Sequence, residues 1–329
     1  MKRLTALVVL VLAGVLCAGA LATFPGQKGK IAFRRYFNDA HSSSGIFTIN
    51  PNGTGERQIT QSPPDVVDDQ PDWSPDGKQI VFQRCPSNGG SCSIWLMNSD
   101  GSNQHTLSPE CVFTQNCEDD SAVSFLPDGE HVVFTRASGN VKDNIIQSSQ
   151  IVVSDLNGQN RHVIIGSTPY QADFNFAAFS LDGKWFVYER ANSVFSTPQF
   201  TSALFVVNAA TGQQHRITPW SLDAGDNPDV SPDGKRIVFR THVNTDEGCQ
   251  IDIVHPDGSD LTQLTHFTNP HANVRSAAFS PDGTQITFGT DNGLGTNPDI
   301  YVMNVDGSGL HAIETNPLWD SAADWGSLQ

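Results

Sequence analysis

One phrase recurs along this chain, and its spacing restricts the fold more than any composition value does. It reads Trp73-Ser74-Pro75-Asp76-Gly77-Lys78, then Phe125-Leu126-Pro127-Asp128-Gly129-Glu130, then Phe179-Ser180-Leu181-Asp182-Gly183-Lys184. It returns as Val230-Ser231-Pro232-Asp233-Gly234-Lys235 and as Phe279-Ser280-Pro281-Asp282-Gly283-Thr284. A supersecondary unit repeated at fixed period builds an array or a ring, because no single unit can bury its own apolar faces. Pro presets φ at the second turn position and Gly accepts φ > 0 at the exit, so each copy predicts a tight turn.

An apolar run follows every turn: Ile80-Val81-Phe82, Val132-Val133-Phe134, Phe186-Val187-Tyr188, Ile237-Val238-Phe239 and Ile286-Thr287-Phe288. Short, β-branched and nearly continuous apolar runs are expected of strands covered on both faces. A second strand and turn come next in each unit, as in Ile94-Trp95-Leu96-Met97-Asn98 before Asp100-Gly101, and Ile300-Tyr301-Val302-Met303-Asn304 before Asp306-Gly307. Asp-Gly and Asn-Gly between such strands are hairpin signals. A polar strand ends the unit, giving a four-stranded antiparallel meander.

The ends of the chain complement each other. Asp324-Trp325-Gly326 matches Asp72-Trp73-Ser74, the run into a repeat, and Lys30-Ile31-Ala32-Phe33 matches the strand that follows the turn. The last strand is therefore expected to pair with the first, closing a ring that leaves no free sheet edge. The expected fold is all-β, a six-bladed β-propeller with about 51 residues per blade and one composite blade. Ser-Pro-Asp-Gly-Lys, an apolar strand, and Asp-Gly followed by Gln263-Leu264-Thr265 resemble the WD40-like PD40 repeat of TolB-type propellers. The resemblance covers nearly all of residues 23–329. It implies the propeller, but not an activity, since such propellers serve transport accessories, peptidases and lyases alike. TolB carries an α/β domain before its propeller. Here the first repeat strand begins at Lys30, so that domain is expected to be lacking, and with it a TolA-docking role.

Residues 1–22 carry a separate pattern. Lys2 and Arg3 precede an apolar run from Leu4 to Ala20, and Ala20-Leu21-Ala22 has the A-x-A form of a cleavage site, so they are read as a signal peptide. The expected location is secreted or in the periplasm or cell envelope. No later segment is apolar enough to span a membrane. Export makes two local disulfides plausible, Cys85 with Cys92 and Cys111 with Cys117, leaving Cys249 as a thiol. The formal net charge of -16 opposes binding to nucleic acid or anionic lipid.

Similar propellers use the mouth of the central channel. Aligning the units gathers Asp69, Ser121, Asn175, Asp226, Arg275 and Ser321 on one rung before the innermost strands, with Asp68, Asp120 and Asp320 on the rung before it. The candidate ligand site is therefore Asp68, Asp69, Asp120, Asn175, Asp226, Arg275 and Asp320. Arg35, Arg84, Arg136 and Arg190 recur two residues beyond an aromatic on the next strand, so Arg–Asp pairs tying blades together compete with a ligand pocket. No cofactor is implied. Carboxylates with carbonyls would suit Ca²⁺, although no acidic loop has the spacing of a known calcium motif. His105, His162, His215 and His311 fall just past second-turn glycines, on the outer strands of different blades, and cannot converge. His266 and His271 lie in a loop returning to the mouth. No nucleophile elbow, H-E-x-x-H or P-loop occurs. These features favour a monomeric, non-catalytic binding or scaffold propeller that takes a protein, peptide or ligand at an acidic mouth. The alternative is a polysaccharide lyase or lactone hydrolase working in the channel.

Overall fold

A computed structural model describes residues 26–88, 90–108, 117–140, 145–166, 174–191, 201–242, 248–269 and 272–328. Six four-stranded antiparallel sheets follow one another along the chain. The first full blade is β4 (Val66–Trp73), β5 (Gln79–Pro86), β6 (Ser93–Asn98) and β7 (His105–Thr106). The second is β8 (Cys117–Phe125), β9 (His131–Asn140), β10 (Ile145–Asp155) and β11 (His162–Gly166). The third is β12 (Phe174–Phe179), β13 (Trp185–Ala191), β14 (Ser202–Asn208) and β15 (Gln214–Arg216). The fourth is β16 (Ala224–Val230), β17 (Ile237–His242), β18 (Cys249–Val254) and β19 (Thr262–Gln263). The fifth is β20 (Val274–Phe279), β21 (Gln285–Thr290), β22 (Asp299–Asn304) and β23 (His311–Ala312).

The sixth blade is composite, in the order β24 (Asp320–Ser327), β1 (Lys28–Tyr36), β2 (Ser44–Ile49) and β3 (Arg57–Gln58). Ile31 pairs with Trp325 and Arg35 with Asp320, so the two ends of the chain are zipped as neighbouring strands. Trp325 is fully buried and its indole Nε1 donates to Gly29 O at 3.2 Å. The expected six-bladed ring is the observed fold.

Why the second strands are apolar on both faces is visible in the core. It is divided into six clusters, one at each seam between blades. Val81, Ile94 and Leu96 of the first blade meet Val123, Val132 and Phe134 of the second. Ile80, Phe82 and Met97, facing the other way, meet Ala32 and Ile46 of the closing blade. Alternate residues of one strand thus serve two different seams, and both sets must be apolar.

The recurring turn has a shared chemistry. Ser74 Oγ accepts from the amides of Lys78 (3.1 Å) and Gln79 (2.9 Å) and donates to Asp76 Oδ1 at 2.8 Å. The same Ser–Asp pair forms at Ser231 with Asp233 and at Ser280 with Asp282. Where Leu126 replaces Ser, Asp128 Oδ1 takes over, accepting from Glu130 N (2.9 Å) and His131 N (3.1 Å). The substitution is absorbed locally. Cys85 and Cys92 form the expected disulfide across the β5–β6 loop. Cys111 and the side chain of Cys117 lie outside the described residues.

The second-turn glycines face a different constraint. Gly101 has φ +84, and a Cβ there would run into the carbonyl oxygen of Ile59 in the preceding blade. Gly53 meets Ile313 O, Gly158 meets Leu107 O and Gly307 meets Leu264 O in the same way. Gly183, in a first turn, has φ +65 but open space around it. Gly183→Ala should therefore cost only the left-handed backbone penalty, about 1 kcal/mol. Gly101→Ala should cost that and the clash, at least about 2 kcal/mol. Urea unfolding of both variants checks the order; equal losses would remove the blade contact as a cause.

Candidate functional site

The channel is lined by the six innermost strands, and each contains a residue with positive φ that is not glycine. These are Gln70 (φ 50), Ala122 (φ 54), Phe176 (φ 46), Asn227 (φ 60), Ser276 (φ 24) and Ala322 (φ 55). Pairing with the second strand slips at each of these places, as between Asp69 and Asp72 and between Arg275 and Ala277. Such a bulge redirects the side chains on either side of it. It separates the site into two parts, a mouth rung before the bulge and a channel cavity after it.

The cavity, about 140 Å³, runs from the bulges to the Ser-Pro-Asp-Gly turns, so Pro75, Pro127, Leu181 and Pro232 rim its far end. Those turns lie opposite the mouth, yet they border this inner space. Asp72, Asp229 and Asp324 project into it. Each carboxylate also reaches the following blade: Asp324 Oδ2 accepts from Trp73 N (2.8 Å), Asp72 Oδ2 from Phe125 N (2.7 Å) and Asp229 Oδ2 from Phe279 N (2.7 Å). They act as clasps between the closing and first, first and second, and fourth and fifth blades. Protein encloses all three, and each borders the same small cavity, whose walls are otherwise largely apolar. Burial first, and then the Asp324 carboxylate, push Asp229 up to about 7. Burial likewise raises Asp324 to about 6. Asp72 is raised by burial and by both of the others.

At the mouth, the structure divides the residues singled out from sequence. Asp68, Asp120 and Asp320 are buried and bonded to the arginine directly across the strand pair. Arg84 Nε donates to Asp68 Oδ1 (2.6 Å), Arg136 Nε to Asp120 Oδ1 (2.7 Å) and Arg35 Nε to Asp320 Oδ1 (2.9 Å). Those guanidiniums also stack on aromatic rings, Arg84 at 4.4 Å from the Trp95 centroid and Arg35 at 4.6 Å from Phe47. The two contacts fix each arginine in place. Asp69 stands further out and binds Arg34 Nη1 at 2.5 Å. Arg275 lies 5.6 Å from the Trp319 ring. Asn175 and Asp226 sit on β12 and β16, and their side chains lie outside the described set.

Sequence reasoning missed an aromatic cluster on the same rim. The Tyr36 and His41 rings stack at 4.3 Å, and His41 meets Trp319 edge-on at 4.8 Å. Arg34 lies 4.2 Å over Tyr36, and it and Trp319 both donate to Ser321 Oγ. Burial, then Arg34, holds the His41 imidazole below its ordinary value, which favours the neutral ring. The Tyr36 phenol is raised by burial. The cluster joins residues from β1, the β1–β2 loop and the segment before β24, and no linear motif links them. Beside it an open cleft of about 510 Å³ is lined by Asn273, Asp299, Asn316 and Trp319. The histidines His105, His162, His215 and His311 are on outer strands of four blades, as expected. His266 is exposed, and His271 lies outside the described residues.

No protein-family model matches the chain. Solved structures do. TolB from Acinetobacter baumannii matches with a TM-score of 0.70 at 18% identity, over 91% of this chain and 67% of that one. The fold is shared with TolB. A protein from Agrobacterium tumefaciens assigned as TolB agrees over 92% of this chain and 99% of its own, at 17% identity and a TM-score of 0.60. An oligogalacturonate lyase in complex with manganese is a more distant propeller, with a TM-score of 0.51 at 13% identity over 87% of this chain and 73% of that one. At these identities the TolB likeness is one of architecture, and the side chains of the mouth must be read on their own.

The cavity carboxylates give a pH signature. The unfolded Asp has a pKa of about 3.9, so between roughly pH 4 and 7 the native state holds the extra proton at Asp229. Stability from this group is therefore greatest in acid and is lost as pH rises through 7. Asp229→Asn keeps an acceptor for Phe279 N and removes that penalty. The variant should exceed the wild type by on the order of 2–4 kcal/mol at pH 8, falling below about 1 kcal/mol near pH 4. Denaturant midpoints across that range test this; a difference independent of pH would mean that Asp229 is ionised throughout.

Proposed function

We propose that this protein is an exported, non-catalytic binding propeller that holds a protein or peptide partner at the channel mouth. The observation that carries the reading is the Tyr36–His41–Trp319 cluster with Arg34, Arg275 and Asp69 on its rim. Aromatic and arginine side chains dominate the energetics of protein interfaces because they offer large rigid area with few rotors. Here Arg34 is anchored by Asp69, and Arg34 and Trp319 share Ser321 Oγ, so little ordering remains to be done on binding. Asp69 is taken up by Arg34, so on this rung Asp226 is the carboxylate that would add attraction for a basic segment.

Export is supported by the basic and apolar run at residues 2–20 and by the Cys85–Cys92 disulfide, which suits an oxidising compartment. Among the described residues no helix is long and apolar enough to cross a membrane. The TolB likeness adds a precedent in architecture only. The cavity of about 140 Å³ is smaller than the roughly 300 Å³ of an ordinary small-molecule site, which argues against turnover of a sugar inside the channel.

The test is affinity capture from envelope and medium fractions of the source organism. Wild type should retain a discrete partner, and Arg275→Ala with Trp319→Ala should lose at least about tenfold in affinity. Asp69→Ala with Asp226→Ala should weaken the same complex in a salt-dependent way. Undiminished capture by both double variants would move the interface elsewhere. Turnover of a polyuronide or a lactone by the purified protein would overturn the non-catalytic reading.

A further inference from the structure

The seam between the fifth blade and the closing blade departs from its counterparts. In four blades the residue after the outer strand and one apolar position is a buried Ser or Thr: Thr60, Ser108, Thr218 and Thr265. Its hydroxyl accepts a backbone amide of the third strand, from Ile46 (2.9 Å), Ile94 (2.7 Å), Leu204 (2.9 Å) and Ile251 (2.9 Å) respectively. In the fifth blade that place is taken by Glu314. The equivalence is fixed by the backbone: Leu264 N and Thr265 N both bond to Ile251 O, and Ile313 N and Glu314 N both bond to Ile300 O.

Its neighbour has changed as well. In the fourth blade Thr265 donates to Gln250 Oε1 at 2.9 Å, and that oxygen also accepts from Phe267 N at 3.0 Å. The corresponding residue in the fifth blade is Asp299, whose Oδ1 accepts from Asn316 N at 3.0 Å. A neutral Gln–Thr pair has become an Asp–Glu pair. Asp320 of β24 completes a trio in which one carboxylate oxygen from each residue lies within 4.8 Å of the others.

The local charge does not balance. Arg35 is the guanidinium facing this trio, and it is shared among Asp320 (2.7 Å), Glu314 (2.9 Å) and Glu56 (2.8 Å). Among the described residues, the equivalent Arg84 pairs with one carboxylate, Asp68, and Arg136 with two, Asp120 and Glu118. The Glu314 side chain is 8% exposed, and its Oε2 is buried without a hydrogen-bond partner. Asn316 Nδ2 holds the other oxygen at 2.7 Å and Asp320 Oδ2 at 2.7 Å, which orients both carboxylates. Asp299 and Asn316 also line the open cleft, so solvent reaches one side of the trio.

We propose that Asp299, Glu314 and Asp320 bind one hard divalent cation, with Ca²⁺ the best match, and that this ion staples the fifth blade to the closing blade. Ca²⁺–oxygen distances of about 2.3–2.6 Å put ligands on opposite sides of the ion about 5 Å apart, which accommodates the observed spread. Mg²⁺, at about 2.1 Å, would require the carboxylates to draw closer. The cleft side supplies water for the remaining positions. The segment from Glu314 to Asp320 carries Trp319, so the ion also steadies the aromatic rim of the mouth.

The experiment uses the full chain, stripped with chelator and then melted with and without 1 mM CaCl₂. Calcium should raise the wild-type midpoint by about 5 °C, as expected for a ligand near 100 times its Kd acting on a protein of this size. Titration calorimetry with CaCl₂ should give one site per chain. Glu314→Thr, the residue used by the other seams, should remain folded and lose the calcium shift; Asp299→Asn should lose at least half of it. An unmoved wild-type midpoint overturns the proposal and leaves a proton shared between Glu314 and Asp320 as the resolution of the seam. A calcium shift that survives Glu314→Thr but disappears in Asp229→Asn also overturns it, placing the ion in the channel.

Discussion

The positive-φ residue in each innermost strand is the constraint from which the rest of this propeller follows. A left-handed conformation costs a non-glycine residue roughly 1 kcal/mol or more, yet all six inner strands adopt it at the same place. The bulge resets which side chains face the channel. Before it stand the mouth residues, such as Asp69 and Arg275. After it stand Asp72, Asp229 and Asp324, which reach across to pin the next blade. Without the reset, strict alternation along β4 would put Asp69 and Asp72 on opposite faces, and the second could not serve the channel. The strain is spent on a geometry that places recognition and assembly on one strand.

Much of the ring was legible in the sequence because the repeat is built on backbone chemistry that only a few residues can supply. Ser, Pro, Asp and Gly at fixed spacing specify a turn whose hydrogen bonds are nearly the same at Ser74, Ser231 and Ser280. The match of Trp325 to Trp73 by itself predicts the closure that the β1–β24 ladder shows. The bulges were not legible, since Gln70, Ala122, Phe176 and Ala322 carry no common mark of a left-handed residue. Aligning the units by the rungs before the innermost strands therefore leaves out the three channel carboxylates, although Asp72 and Asp324 both stand in the run that leads into a repeat.

The mouth shows the same limit in another form. Alignment gathered the acidic residues on one face, but could not tell a carboxylate satisfied by a cross-strand arginine from one left for a partner. Asp68, Asp120 and Asp320 belong to the first kind. The rim cluster escaped altogether, because Tyr36, His41 and Trp319 are far apart in sequence and come from places where the repeat has no rule. Departures from the repeat proved more informative than the repeat itself: Glu314 is visible as unusual only once the hydroxyls at Thr60, Ser108, Thr218 and Thr265 have been understood.

The pairing of β1 with β24 joins residues at least 285 positions apart along the chain, the separation of Arg35 and Asp320. A chain delivered from its N-terminus presents β1 first and its partner last. All five full blades, β4 to β23, come between them in the chain, and until β24 arrives that first strand keeps an unsatisfied edge. Assembly is thus ordered in time by the topology: seams can form one after another, but the edge most prone to stray pairing is covered only at the final step. A protein of this design gains its cooperativity late, and whatever shields β1 until then governs how much of it survives.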